Sequence, residues 1–340
     1  MNNGKTKIGI NGFGRIGRLV LRAAHEENYP NLEIVAINSF ADAENNAHMF
    51  KYDSTYGVYK GDVSSSGNSM YIDEHPIVCL SSQEPRNIPW AEHKIDIVLE
   101  CTGKFTNVKK ASEHLSSGAS KVIISAPAKG EDATIVMGVN EDEYNHQKDQ
   151  IVSNASCTTN CVAPLVKVLH DSFGVEHAMM TTIHAYTNDQ QILDKRNKDM
   201  RRARAAATNI IPTTTGAAKA VGTVIPELKG KVHGMAFRVP TSTVSVTDVV
   251  ANLKRKATTT EINDAYLQAS NSHLKGILDF SMEPLVSSDY KQNPYSCIID
   301  GLSTITLDGN MVKVVGWYDN EWAYSLRTLD LANHISNKAK

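Results

Sequence analysis

At 340 residues the chain is long enough for about two domains, each with its own core, and 41% hydrophobic with 21% charged residues excludes a disordered or fibrous protein. A formal net charge of −2, from 35 basic and 37 acidic side chains, leaves no global field to draw it onto nucleic acid or an anionic membrane. No apolar run approaches the ~18 residues of a membrane span, MNNGKTKIGING lacks the apolar core of a secretion signal, and five cysteines are too sparse for a disulfide framework; a cytoplasmic protein is expected.

In chain order, KIGI (Lys7 to Ile10) reads as an apolar strand that ends at a glycine-rich turn. Arg15 to His25 then carries Ile16, Leu19, Val20, Ala23 and Ala24 at helical spacing. LEIVAIN is a second strand, SMYIDEHPIVCL a hairpin around Asp73-Glu74, and KIDIVLECTG and KVIISAP two buried strands separated by a helical pattern from Val108 to Leu115. Strands alternating with helices predict a doubly wound parallel sheet.

Beyond residue 157 the pattern changes. A helix over Thr158 to Phe173 precedes longer β-rich runs: HAMMTTIHAY, HGMAFRVP, STVSVTDVVANL and MVKVVGWYD. Few helices separate them, so a mixed or largely antiparallel sheet is expected, and Trp322 to Lys340 reads as a final helix. The expected division is an α/β dinucleotide-binding domain over 1–156, completed by the helix 321–340, and an α+β catalytic domain over 157–320.

Gly12, Gly14 and Gly17 form G-x-G-x-x-G in NGFGRIGR. Alone the pattern is weak, and a turn that merely packs helix on strand is the plain alternative. Between a strand and a helix, however, the glycines allow a tight turn and close approach to a pyrophosphate, which meets the helix N-terminus. An acidic residue normally ends the second strand and binds the ribose 2′-hydroxyl. Here Asn38 is followed by Ser39, and Asp42 and Glu44 come late.

SNASCTTNC carries two thiols four residues apart. Cys157 precedes the long helix, whose N-terminus favours a thiolate. Lowering a thiol from about 8.5 to about 6 takes roughly 3.4 kcal/mol, and a helix N-terminus gives at most about 2, so a nearby cation or base is required. His184 meets that need by length. The helix carries the chain about 25 Å away at 1.5 Å per residue, and a strand from His177 to His184 returns about 26 Å. Cys161, inside an apolar helix and without a completing C-x-x-C or His pair, reads as a small buried hydrophobe rather than a metal ligand; Cys79, Cys101 and Cys297 sit in strand-like runs. DKRNKDMRRARAAATN carries six basic residues against two acidic ones, TTTG supplies hydroxyls and an N–H, and Arg238, amid apolar neighbours, needs a partner such as a carboxylate or phosphate.

Together NGFGRIGR, SNASCTTNC, HAYTNDQ, RRARAA, IPTTTGAAKAV, HGMAFRVP and WYDNEW resemble phosphorylating glyceraldehyde-3-phosphate dehydrogenase from end to end. The resemblance implies Cys157 as nucleophile and His184 as its activating base, acting on glyceraldehyde 3-phosphate and inorganic phosphate. It implies Ser156, Thr158, Thr215 and Gly216 as the attacking-phosphate site, and Thr187, Asp189, Arg202 and Arg238 as the pocket for the substrate's own phosphate. Cofactor contacts follow at Gly12, Gly14, Arg15, Ile16, Ser39, Thr102, Gly103, Ser125 and Asn320, the last holding the nicotinamide amide. A homotetramer is implied, the loop around 186–210 reaching a neighbour's cofactor, with no metal, no nucleic acid and no membrane as partners. Two departures bear on the cofactor. NAD-dependent members usually carry Asp where this chain has Ser39, and often Leu-Pro where it has Lys195-Arg196; both changes favour NADP, with NAD tolerated. Gln83 also replaces a basic residue often seen near the adenine, and Ala323 a common glycine. Erythrose-4-phosphate dehydrogenase shares the thiol motif but differs at the segments matching HAYTNDQ and TTTGAAKA.

Overall fold

A computed structural model describes residues 4–339; Met1–Asn3, part of the segment read for a secretion signal, and Lys340 lie outside them. The chain divides into two compact units. One runs to Ile135, takes up Glu141–Ala155 and resumes at Ser325; the other comprises Val136–Asn140 and Ser156–Tyr324.

The first unit is built on strands β1 (Thr6–Asn11), β2 (Leu32–Asn38), β3 (Val63–Ser66), β4 (Ser69–Ile72), β5 (His75–Leu80), β6 (Ile97–Glu100), β7 (Lys121–Ile124), β8 (Ala133–Thr134) and β9 (Ile151–Ser153), in the order β8-β9-β7-β6-β1-β2-β5-β4-β3. All neighbours from β8 to β5 are parallel, and β5-β4-β3 is an antiparallel meander. The chain therefore winds one way from β1 to β2 and β5, and the other way to β6, β7 and β9. This is the doubly wound dinucleotide-binding order, with its switch point between β1 and β6. The β4–β5 hairpin turns at Asp73 and Glu74, both with positive φ (47° and 69°), as the two-residue turn matched to strand twist requires.

Apolar runs such as Ile8 and Ile10, Ile97–Leu99 and Val122–Ile124 are buried because both sheet faces are covered. The helical pattern Val108 to Leu115 is realised as two short helices, Val108–Ala111 and Glu113–Ser116. Three further helices, Ala43–Lys51, Ala217–Val224 and Thr259–Asn271, have no counterpart in the sequence reading. From Ser325 the final helix, Trp322–Lys338, is counted with the first unit. There Asp330 accepts from the Tyr29 hydroxyl at 2.9 Å, Thr328 accepts from the Asn154 amide at 3.1 Å, and Ser336 meets Thr6 at 2.7 Å.

The second unit holds an eight-stranded sheet: β10 (Val175–Ala185), β11 (Ile211–Thr213), β12 (Val232–Val239), β13 (Ser245–Leu253), β14 (Leu278–Ser281), β15 (Cys297–Asp300), β16 (Ile305–Leu307) and β17 (Met311–Tyr318). The order is β11-β12-β10-β13-β17-β15-β14, with β16 beside β17. Only β10/β12 and β14/β15 are parallel, so the sheet is mixed, as expected. The helix Cys157–Phe173 runs one residue longer than the sequence pattern, with Ser156 as its N-cap, the Ser156 hydroxyl accepting from Thr159 N at 3.0 Å.

Candidate active site

Two constellations carry chemistry, one in each unit. In the second unit, Cys157 opens its helix and His184 lies near the end of β10. Sγ of Cys157 is 3.4 Å from Nε2 of His184, so the out-and-back length argument is met. In the β10/β12 register His184 stands directly beside Arg238. Nδ1 of His184 lies 2.7 Å from the Ala185 carbonyl and 2.8 Å from Nη1 of Arg238. A carbonyl only accepts and a guanidinium only donates. Nη1 already has the Ala185 carbonyl at 3.0 Å and the Thr187 hydroxyl at 3.2 Å. The ring proton therefore belongs on Nδ1, donated to Ala185, which leaves Nε2 as an acceptor facing the thiol. The Tyr318 ring meets His184 edge-on at 6.0 Å, and its hydroxyl joins Thr158 and Thr182, each at 2.9 Å.

Burial sets the charge state of the pair. It pushes the Cys157 thiol up to about 11, against the pull of the Arg238 charge and of the Thr158 hydroxyl and amide. Burial, then the Arg238 charge, pushes His184 down to about 3. Both shifts favour a neutral thiol beside a neutral imidazole, and so oppose the thiolate that the helix N-terminus favours.

Around the pair lies a polar cluster. Asp189 accepts from the Thr187 hydroxyl and from Nη1 of Arg202, and Nε of Arg202 donates to Thr213 at 2.9 Å. Thr187, Asp189, Arg202 and Arg238 are thereby joined in one network. Arg238 has no carboxylate partner among its hydrogen bonds, and its buried Nε makes none among the described residues, so an anion would complete it. Thr215 accepts from Ala217 N at 3.2 Å, and Gly216 caps the helix Ala217–Val224 with open space where a Cβ would stand. Two expected phosphate donors have other engagements: the Ser156 hydroxyl caps its helix, and buried Thr158 bonds Tyr318 and the thiol. Asn320 is buried, and its carbonyl oxygen accepts from Ser245 at 2.8 Å; Ser245 in turn accepts from Ala185 N. Lys195 and Arg196 are exposed. Cys161 and Cys297 are buried, and all five cysteines are free thiols.

In the first unit a cavity of about 310 Å³ is lined by Gly12, Gly14, Asn38, Ser39, Gln83 and Thr102, among others. Its glycines fit a dinucleotide. Gly12 has φ 94° and no room for a Cβ, which would meet Thr102 N at 2.7 Å; a Cβ on Gly17 would lie 2.1 Å from the Gly12 carbonyl; Gly14 and Gly103 face open space. The helix Arg15–Glu26 has no capping side chain and no acid in its first turn, so its first N–H groups are available to a pyrophosphate. Arg15 pairs with Asp53, Ile16 is half-buried, and Ser125 donates to the Glu100 carbonyl at 3.0 Å. The Ser39 hydroxyl is 3.1 Å from Asn46 Oδ1, while Asp42 caps the helix Ala43–Lys51 through Asn45 N. The sequence reading missed Tyr318, Thr182 and Glu100; for Glu100 the signal was an acid closing the apolar run IVLE.

The family model for the NAD binding domain of glyceraldehyde 3-phosphate dehydrogenase matches residues 6–108, and that for its C-terminal domain residues 156–320. The chain is 56% identical over 332 residues to glyceraldehyde-3-phosphate dehydrogenase of Geobacillus stearothermophilus, covering 98% of each chain. It is 51% identical over 336 residues to glyceraldehyde-3-phosphate dehydrogenase 2 of Bacillus subtilis (99% and 98% covered) and 50% over 333 to glyceraldehyde-3-phosphate dehydrogenase 2 of a Nostoc species (98% and 99%). With both of its halves matched and its length covered, the chain belongs to the glyceraldehyde-3-phosphate dehydrogenase family.

Proposed function

We propose that the protein converts D-glyceraldehyde 3-phosphate and inorganic phosphate reversibly to 1,3-bisphosphoglycerate through a thioester on Cys157, using a nicotinamide dinucleotide. The observation that carries this reading is the 3.4 Å approach of Cys157 Sγ to His184 Nε2. The thiol attacks the aldehyde carbon while its proton passes by way of Nε2 to the carbonyl oxygen, giving a thiohemiacetal and returning His184 to its neutral form. Bound in the first unit, the nicotinamide supplies the hydride acceptor. His184 takes the hydroxyl proton as the thiohemiacetal becomes a thioester, and phosphate then displaces the Cys157 sulfur. Arg238, with its unpaired Nε, and Arg202 balance the charge of substrate and attacking phosphate. Thr187 and Asp189 orient the substrate's own phosphate through Arg202, and Thr215 and Gly216 add a hydroxyl and a helix N-terminus to the attacking one. Asn320 orients the nicotinamide amide.

The cofactor favoured is NADP, with NAD also used. Ser39 brings no carboxylate, and the next acid along the chain, Asp42, is engaged in a helix cap; Lys195 and Arg196 add two cations. The active form is a homotetramer, consistent with Ile192, Leu193 and Met200 standing more than three-quarters exposed on the loop that would meet a neighbour. Steady-state kinetics with both cofactors, with and without phosphate, test the reaction and its cofactor, with erythrose 4-phosphate as the competing aldehyde, and sedimentation tests the tetramer. Phosphate-dependent turnover of glyceraldehyde 3-phosphate, faster with NADP by kcat/KM, is expected. A kcat/KM for NADP well below that for NAD overturns the cofactor assignment, and preference for erythrose 4-phosphate overturns the substrate.

A further inference from the structure

Behind the cavity of the first unit lies a polar cluster with no part in the chemistry above. Asn11, Asn38 and Glu100 end β1, β2 and β6, and the sheet register sets Asn11 directly beside both others. Glu100 is 1% exposed and His114 fully buried. An isolated carboxylate at such depth is costly, and this one is saturated with donors. Oε2 accepts from Asn11 Nδ2 at 2.5 Å and lies 3.0 Å from His114 Nε2, while Oε1 accepts from Thr102 N at 2.8 Å and from the Thr102 hydroxyl.

Trp90 fixes the direction of this network. Its indole N–H, which can only donate, points at Nδ1 of His114 from 2.9 Å. Nδ1 must therefore accept, so the ring proton sits on Nε2 and is donated to Glu100. From Glu100 the order propagates to the cavity. Asn11, its amide committed to the carboxylate, accepts through Oδ1 from Asn38 at 2.8 Å, and Asn38 exchanges bonds with the backbone of Ser82 at 2.8 and 2.9 Å. Asn11, Asn38, Ser82 and Thr102 all line the cavity; Trp90, His114 and Glu100 do not. Thr102 also stands where any side chain on Gly12 would be, so its position sets the height of the glycine turn.

We propose that Glu100, held by the Trp90–His114 pair, is a positioning residue for the dinucleotide: it fixes the amide direction of Asn11 and the seat of Thr102, and through them the floor of the cofactor cavity. This rests on the reading of that cavity as the dinucleotide site. Glu100→Gln replaces one acceptor oxygen with an NH2 group that faces donors on every side, so Asn11 or Thr102 must turn away.

The test is calorimetric titration of the purified wild type and Glu100→Gln with NADP and with NAD at 25 °C, alongside circular dichroism, thermal melting without cofactor and steady-state kinetics. Expected are a rise of about tenfold or more in Kd for both cofactors and in the cofactor KM, an unchanged aldehyde KM, and a native spectrum. Should Glu100→Gln fail to fold, Trp90→Phe keeps an aromatic ring in the core and removes the N–H that orients His114, at the cost of a smaller side chain; a smaller rise in cofactor Kd of the same kind is expected, read against its melting temperature. Unchanged cofactor Kd in a folded variant, with only the melting temperature lowered, reduces the cluster to structural support and overturns the proposal. Absence of cofactor binding by the wild type overturns the cavity reading itself, and the proposal with it.

Discussion

His184 and Arg238 are register partners on adjacent parallel strands, which sets the guanidinium 2.8 Å from the imidazole that faces the Cys157 thiol. The pairing explains why one arginine lowers both groups: its charge favours the thiolate and disfavours the imidazolium.

Replacing Arg238 with Gln is therefore expected to raise the Cys157 thiol further and to slow its alkylation by iodoacetamide between pH 7 and 9, because fewer thiolates are present. The alkylation rate of the wild-type enzyme should climb with pH toward the value of about 11. A rate in Arg238→Gln equal to or above that of the wild type would show that the guanidinium does not act on the sulfur.

Cys157→Ser should lose kcat/KM by on the order of 10³-fold or more, since a serine hydroxyl is a far weaker nucleophile beside a neutral imidazole. His184→Asn should cost about 10²–10⁴-fold, the usual worth of a general base. Both leave cofactor titration unchanged if the two constellations are energetically separate.

Buried His184 also ties stability to pH. Its folded value of about 3 lies below the ordinary 6.5, so the unfolded chain binds more protons between those limits. Its contribution is fully present above about pH 6.5 and is lost as pH falls toward 3, at up to ~1.4 kcal/mol per pH unit. His25, His146 and His334 are also lowered by burial and steepen the same limb. Melting temperatures of His184→Gln and wild type across pH 4–8 should converge toward acid; parallel curves would contradict the assignment.

Ser39→Asp places a carboxylate where the proposed 2′-phosphate would lie. It should shift the NADP to NAD ratio of kcat/KM toward NAD by about tenfold or more, ~1.4 kcal/mol. An unmoved ratio would remove Ser39 from cofactor selection.

Tyr318→Phe deletes a hydroxyl shared by Thr158 and Thr182. With both partners buried, a stability loss of about 1–3 kcal/mol is expected, read as a lower denaturation midpoint at unchanged m-value.

Much of this was written locally. LEIVAIN became β2 residue for residue, and the turn at Asp73-Glu74 was legible because two polar residues interrupted an alternating pattern. Rise per residue made the Cys157–His184 contact permissible, since one helix and one strand of matching length connect the two, and the 3.4 Å approach is what the fold adds. The helix Thr259–Asn271 was missed although its capping box, Thr258 with Glu261, is a local signal; Ala217–Val224, short and interrupted by Gly222, carries no comparable mark. What no window reveals is contact between a helix and a strand distant in sequence. Thr158 on its helix and Tyr318 at the end of β17, 160 residues on, meet only after the second sheet has formed. The upward push on the thiol was likewise hidden, because desolvation does not enter a helix-terminus argument.

The helix that begins at Trp322 has a consequence for how the chain is made. Its residues from Ser325 on pack with strands completed before Ser156, so a ribosome delivers the nucleotide unit in two instalments, separated by the synthesis of most of the catalytic one. Until the second instalment arrives, the partners of Asp330, Thr328 and Ser336 at Tyr29, Asn154 and Thr6 have nothing to close on. The nascent protein has all nine strands of this sheet in hand but must hold them without their last helix while most of the second unit is made.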